Sequence, residues 1–279
     1  ALFNPSGLAQ VPHMILGAYA ATGFAVAGIH AWQLLWHPDD PFHRRALTIA
    51  LWLGGMSALL QPLSGDLLAK VVAVHQPAKL AAFEGQFATE AGAPFRLGGI
   101  VDLDRRRLDY AIEIPYALSL MLYLDPTATV TGLDSVPRDQ WPPVAVARGA
   151  FQVMILCGGA MTFVTLWAGW QGWRYRALAR SRLFLKAVVL AGPLGFVATE
   201  AGWIAAEVGR QPWIITGVMR TAAAVTPMPG LLVPLVFFGA LYLMLAAIVL
   251  WILHHHIAAG SPVDSTVLKP PVERTVYES

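Results

Sequence analysis

His13, Met154 and Glu207 are three side chains with iron-donor chemistry, and each stands within or at the end of an apolar segment. An imidazole and a thioether together can make the axial pair of a six-coordinate, electron-transferring haem, and a carboxylate can hold a second, five-coordinate one. Taken singly, each has a commoner explanation. A lone His one turn into a helix is more often an interfacial or hydrogen-bonded residue. A Met in an apolar helix is nearly always packing, and Glu207 can simply pair with Arg210. The spacing around Glu207 says more. Glu200, Trp203 and Glu207 follow one another at three and four residues, which puts them on one helical face. Two carboxylates on one face of an apolar helix need a cation, a proton, a metal or a channel as partner. Gly209 and Pro212 then supply a helix stop. Arg210 between them suits the negative end of the helix dipole, and its planar fork also matches a carboxylate such as a haem propionate.

The elements that must carry these residues are membrane helices. Hydrophobic residues make up 56% of the 279 and charged residues 13%, about half the charged share of ordinary soluble domains; the mean hydropathy is +0.56. The apolar residues come in runs of about twenty, the length that crosses a bilayer as a helix. Ten tryptophans, several near the ends of those runs, fit an interfacial aromatic belt. The pattern predicts an all-α integral membrane protein with five transmembrane helices in a bundle, over residues 12–36, 46–64, 147–170, 183–208 and 231–253. It divides into helices one and two (1–64), a long outer loop (65–146), helices three to five (147–256) and a tail (257–279). Within the loop, residues 114–124 are apolar over only half a membrane thickness, which predicts a re-entrant or interfacial helix. Apolar periodicity over residues 78–87 predicts order there as well.

Short-loop charge sets the orientation. Arg44 and Arg45 follow helix one; Arg174, Arg176, Arg180, Arg182 and Lys186 follow helix three. Both clusters belong on the cytoplasmic side. The long loop is then outside, the C-terminus inside, and His13, Met154 and Glu207 all lie toward the outer face. The net charge of +2 gives no sign of nucleic-acid binding, and the single cysteine, Cys157, allows no disulfide framework and no Cys-based metal site. The chain begins at Ala1 without an initiator Met or a signal-peptide pattern, as a processed, truncated or partial chain would.

Several motifs together resemble subunit I of the cytochrome bd quinol oxidases. They are Gly202-Trp203 through Glu207 to Gly209-Arg210-Gln211-Pro212-Trp213, Phe3-Asn4-Pro5 ahead of His13, the run from Gln76-Pro77-Ala78-Lys79 to Glu84, and Phe151 to Met154. The likeness runs in order along almost the whole chain. It implies that His13 and Met154 are the axial ligands of a low-spin haem b and that Glu207 ligates a high-spin haem b, with Trp203 packed between the two. It implies that Lys79 and Glu84 lie in the quinol-oxidising loop, of the short-loop class. Without the resemblance, a solvated amphipathic helix would be the preferred reading of that pair. Two departures stand out. The family has four further spanning helices ahead of the segment that resembles Ala1, and these carry the ligands of haem d, where oxygen binds. Gln152 stands where the family is expected to have an Arg, which weakens stabilisation of propionate charge nearby.

The resemblance implies a subunit of a terminal oxidase of the bacterial cytoplasmic (inner) membrane. Quinol is oxidised at the outer face, electrons pass through the haems b to haem d, and molecular oxygen becomes water. The implied partners are subunit II, a small accessory subunit and the lipid bilayer. A second reading is a haem-binding electron-transfer or assembly protein without oxidase activity. A transporter using Glu200 and Glu207 as proton sites is a third, and it leaves His13 and Met154 without a use.

Overall fold

The structure, a computed structural model, describes residues 5–175, 181–225 and 227–258. Phe3, Asn4, Arg176, Arg180 and the tail from 259 onward lie outside the described residues. Five helices are long and apolar enough to cross a membrane. The first is α1 (Pro5–Trp36) and the second α2 (Pro41–His75). α2 is capped by Asp40, whose Oδ1 accepts from the amides of Phe42 and His43, and Pro41 fills the first turn where no N–H is needed. It runs eleven residues past the expected end at 64, because Pro62 breaks a hydrogen bond without ending the helix. A short α3 (Pro77–Glu84) follows directly and ends on left-handed Gly85.

The long connection is folded. Strand β1 (Glu90–Ala91) pairs with β4 (Thr129–Val130), and β2 (Phe95–Asp102) forms an antiparallel hairpin with β3 (Arg107–Ile114). The ladder keeps one register but is interrupted between Gly98 and Ile100, where φ values of +66 and +88 at Gly98 and Gly99 are open to glycine without strain. The expected half-membrane helix at 114–124 is instead the end of β3 followed by the seven-residue α4 (Ala117–Tyr123). Asp125 and Pro126 stop it early.

The third span is α5 (Val144–Tyr175). The fourth is broken by Gly192-Pro193 into α6 (Arg182–Ala191) and α7 (Leu194–Val208), a kink that neither the apolar run nor its length announced. A small hairpin, β5 (Trp213–Ile215) with β6 (Met219–Arg220), follows α7. The last helix, α8 (Leu232–Ala258), belongs to a separate compact unit from 226 onward; its described side chains are nearly all exposed within that unit, as suits a helix apolar on every face.

In the first unit, α1 packs along α2, α6 and α7, while α2 and α7 also pack against α5. Small residues bring the backbones together, as membrane helices need when lipid is as apolar as leucine. A Cβ on Gly23 would fall 2.5 Å from Gly54 Cα, and one on Gly195 would fall 2.3 Å from Ala21 Cα. Thr162 Oγ1 donates across to Ala58 O at 3.1 Å. The core of this bundle runs through Phe24, Leu34, Leu47, Met161 and Phe184.

Candidate functional site

His13 sits on α1 at the end of the bundle that carries the long connection. Its Nδ1 lies 2.9 Å from Ser64 Oγ on α2. Ser64 Oγ also lies 3.0 Å from the carbonyl of Gln61 and 3.2 Å from its Oε1. With Ser64 engaged at Nδ1, Nε2 is the ring nitrogen left for a metal, and neutral imidazole binds a metal when the other nitrogen carries the proton. On α5, Met154 turns its sulfur to α7: a Cβ on Gly202 would come within 3.1 Å of Sδ. Gly158, one turn further along α5, has open space where its side chain would be. The two potential donors thus stand on helices held in one bundle by α2 and α7.

At the C-terminal end of α7, Glu207 and Arg210 form an ion pair at 3.0 Å, both partly exposed. Trp203 is about half exposed on the same helix. Glu200 lines an apolar cavity of about 570 Å³ between α5 and α7, with Val146, Ala150, Val153 and Phe196 among its walls. Among the described residues, no three His, Cys, Asp or Glu side chains gather as a multi-ligand metal site. A haem needs no such cluster, because its porphyrin supplies the equatorial donors.

α3 is docked on the end of α7. Lys79 Nζ donates to Ala206 O at 2.9 Å, one of the carbonyls a helix end leaves without a partner. Phe83 stacks on Phe151 of α5 at 4.9 Å and lies so close to Gly209 that a Cβ there would approach its ring to 2.7 Å. The consequence is burial of both charged residues of α3: Lys79 is 7% exposed and Glu84 4%. A solvated amphipathic helix is therefore ruled out. Burial lowers the Lys79 amine to about 8, aided by the charge of Arg210 and opposed by that of Glu207. Burial pushes the Glu84 carboxyl up to about 7, while the charges of Arg148 and Arg96 pull it down. Both groups thus sit near neutrality, where a small change of surroundings moves a proton.

The family model for cytochrome bd terminal oxidase subunit I matches residues 1–261. The chain belongs to that family. A Bacillus subtilis (strain 168) protein that carries the name of a cytochrome bd menaquinol oxidase subunit I is 35% identical over 271 residues, covering 95% of this chain and 60% of the relative. The cytochrome bd ubiquinol oxidase subunit 1 of the same strain is 30% identical over 292 residues, covering 98% and 62%. Among solved structures, the bd oxidase from Geobacillus thermodenitrificans superposes with a TM-score of 0.84 at 36% identity, over 94% of this chain and 60% of that one. The chain spans about three fifths of the length of the relatives it matches. Its five apolar helices and bacterial relatives make it a bacterial membrane protein with the helical architecture of cytochrome bd subunit I.

In the sequence, Arg148 stands at the start of the expected third span with nothing to single it out. Arg148 is 1% exposed on the first turns of α5. It donates to the carbonyls of Phe83 and Arg96, each at 3.0 Å, and to that of Gly98. One turn on, Gln152 Oε1 accepts from the Gly98 amide at 3.0 Å, so its amide group holds the hairpin. An arginine at the start of an apolar helix is the available signal, and such a charge ordinarily marks the membrane boundary.

Proposed function

We propose that this chain binds the two haems b of a cytochrome bd-type terminal oxidase and oxidises quinol at its outer face, in an enzyme that reduces oxygen to water. The observation that carries this reading is the sealing of Lys79 and Glu84 against α5 and α7, within one residue of the Glu207 turn. Two buried ionisable groups poised near neutrality suit a diol that must be held by hydrogen bonds and lose protons as it is oxidised. Lys79 donates to one quinol oxygen; Glu84 accepts a proton from a hydroxyl and returns it to the outer solvent.

The haem assignment has support in donor chemistry. His13 presents Nε2 while Ser64 holds Nδ1, Met154 presents a thioether against a glycine of α7, and Glu207 offers an anion to a second iron, with Trp203 on the same face. Arg210 then serves a propionate or keeps Glu207 charged through their ion pair. When bound, the haems supply one-electron carriers between a two-electron donor and oxygen. Haem d and the oxygen site belong to the complete enzyme, with subunit II, a small accessory subunit and the lipid bilayer as partners.

The test is Glu84→Ala in the complete oxidase. Quinol oxidation should fall at least tenfold with both haem b spectra intact. Loss of haem with no selective kinetic defect would mark the loop as structural and overturn the quinol assignment.

A further inference from the structure

We propose that Arg148 is a positioning residue for Glu84: from within α5 it clamps the end of α3 to β2 and sets a fixed cation beside the carboxyl, holding it where it exchanges protons with quinol. The inference rests on the quinol reading above. Its first support is chemical. A fully buried guanidinium is costly unless its charge and donors are used. Arg148 donates to three backbone carbonyls of two separate segments, Phe83 at the end of α3 and Arg96 and Gly98 in β2. Carbonyls satisfy donors and leave the charge in place. Phe83 immediately precedes Glu84, so fixing its carbonyl fixes the base of the carboxyl side chain.

The second support is the set of charges facing Glu84. From β2, Arg96 is already bound to Glu90 at 3.0 Å and to Glu113 at 2.8 Å. From α7, Glu207 and Arg210 pair with each other. On α3 itself, Lys79 donates away to Ala206. In the turn Leu133–Ser135, Asp134 is bonded to Thr89, and from β3 the side chain of Leu108 lies over Gly85 while Glu113 is held by Arg96. Arg148 makes no salt bridge among the described residues and is the leading charge that favours the ionised form of Glu84. An apolar residue at this position would leave the Phe83, Arg96 and Gly98 carbonyls without this donor and Glu84 with one bound cation for company.

The experiment compares Arg148→Gln, Arg148→Lys and Glu84→Gln in the complete oxidase by the pH profile of quinol oxidation and by infrared titration of the Glu84 carboxyl, assigned by its disappearance in Glu84→Gln. With Arg148 present the carboxyl titrates near 7. Arg148→Gln should raise that midpoint by about one pH unit or more, lower the rate at pH 7 several-fold and recover it at high pH, with haem spectra unchanged. Arg148→Lys, which keeps the cation, should restore most of the midpoint. A uniform loss of rate with an unmoved midpoint would reduce Arg148 to packing and overturn the proposal. If Arg148→Gln fails to assemble with haem, the double variant Glu84→Gln with Arg148→Gln decides, because it removes both charges. Restored assembly supports the coupling; continued failure overturns it. The two readings fail separately: full quinol oxidation by Glu84→Gln would sink the quinol site even where the infrared midpoint shifts, and an unshifted infrared midpoint would sink the Arg148 role even where Glu84→Gln is slow.

Discussion

At the scale of residues, the chemistry rests on what each neighbour leaves free. Ser64 occupies one nitrogen of His13 and so exposes the other. Met154→Leu keeps the volume and removes the sulfur; it should preserve membrane insertion and abolish the six-coordinate low-spin spectrum of the reduced protein. A persisting spectrum would refute Met154 as ligand. Glu84 gives a pH prediction. Its folded-state affinity for the proton, near 7, exceeds the ordinary carboxyl value of 4.5. The folded state therefore holds the proton more tightly than the unfolded one. Its contribution to stability is complete below about pH 4.5 and is lost as pH rises through 7, by about 3 kcal/mol in total. Glu84→Gln should remove this slope, so the variant's thermal midpoint should gain on the parent between pH 5 and 8. Equal pH dependence of the two melting curves would contradict it.

At the scale of elements, the site depends on how closely α3 seats against α7. Gly209 is the point of closest approach, with Phe83 filling the space a side chain would take. Gly209→Val should push α3 outward, loosen the Lys79 contact to Ala206 and raise the KM for quinol about tenfold or more, while the His13 and Met154 helices keep their packing. The check is steady-state kinetics beside a reduced-minus-oxidised spectrum. An unchanged KM would mean that α3 is not part of the quinol site. The β5–β6 hairpin contributes by holding the segment after α7: Arg220 pairs with Asp139 at 2.8 Å and stacks over Trp213. Gly98 in β2 has the corresponding role on the other side, since both its N–H and its carbonyl are held from α5.

At the scale of the whole molecule, the chain holds about three fifths of the length of its relatives, and the family resemblance puts the haem d ligands outside that stretch. Purified alone in detergent, it should keep the low-spin haem b more readily than the high-spin one. On the proposed reading the first has both its donors, His13 and Met154, on helices of one packed bundle, whereas Glu207 is half exposed at a helix end. It should carry no haem d and consume no oxygen with quinol as donor. Pigment extraction and an oxygen electrode check this; stoichiometric haem d or sustained turnover would place the oxygen site within this chain.

Sequence alone determined the solvent and the elements. Runs of twenty apolar residues leave a helix as the way to satisfy backbone hydrogen bonds in lipid, so five spans were legible, as was the stop at Gly209. The motif around Glu207 and the run through Lys79 carried the family resemblance, and the family model over residues 1–261 bears the family out. Tertiary structure alone decided the rest. Whether α3 is solvated or buried is a matter of what packs on it, and Phe151, Gly209 and Ala206 come from helices far along the chain. The break at Gly192-Pro193 is signalled by the Gly-Pro pair itself, but hydropathy averages over it, and the packing decides how far the helix parts there. Arg148 is a similar case. A charge at a helix start looks like a surface boundary until the chain folds a hairpin and a helix end over it, and only then does its burial beside Glu84 give it a task.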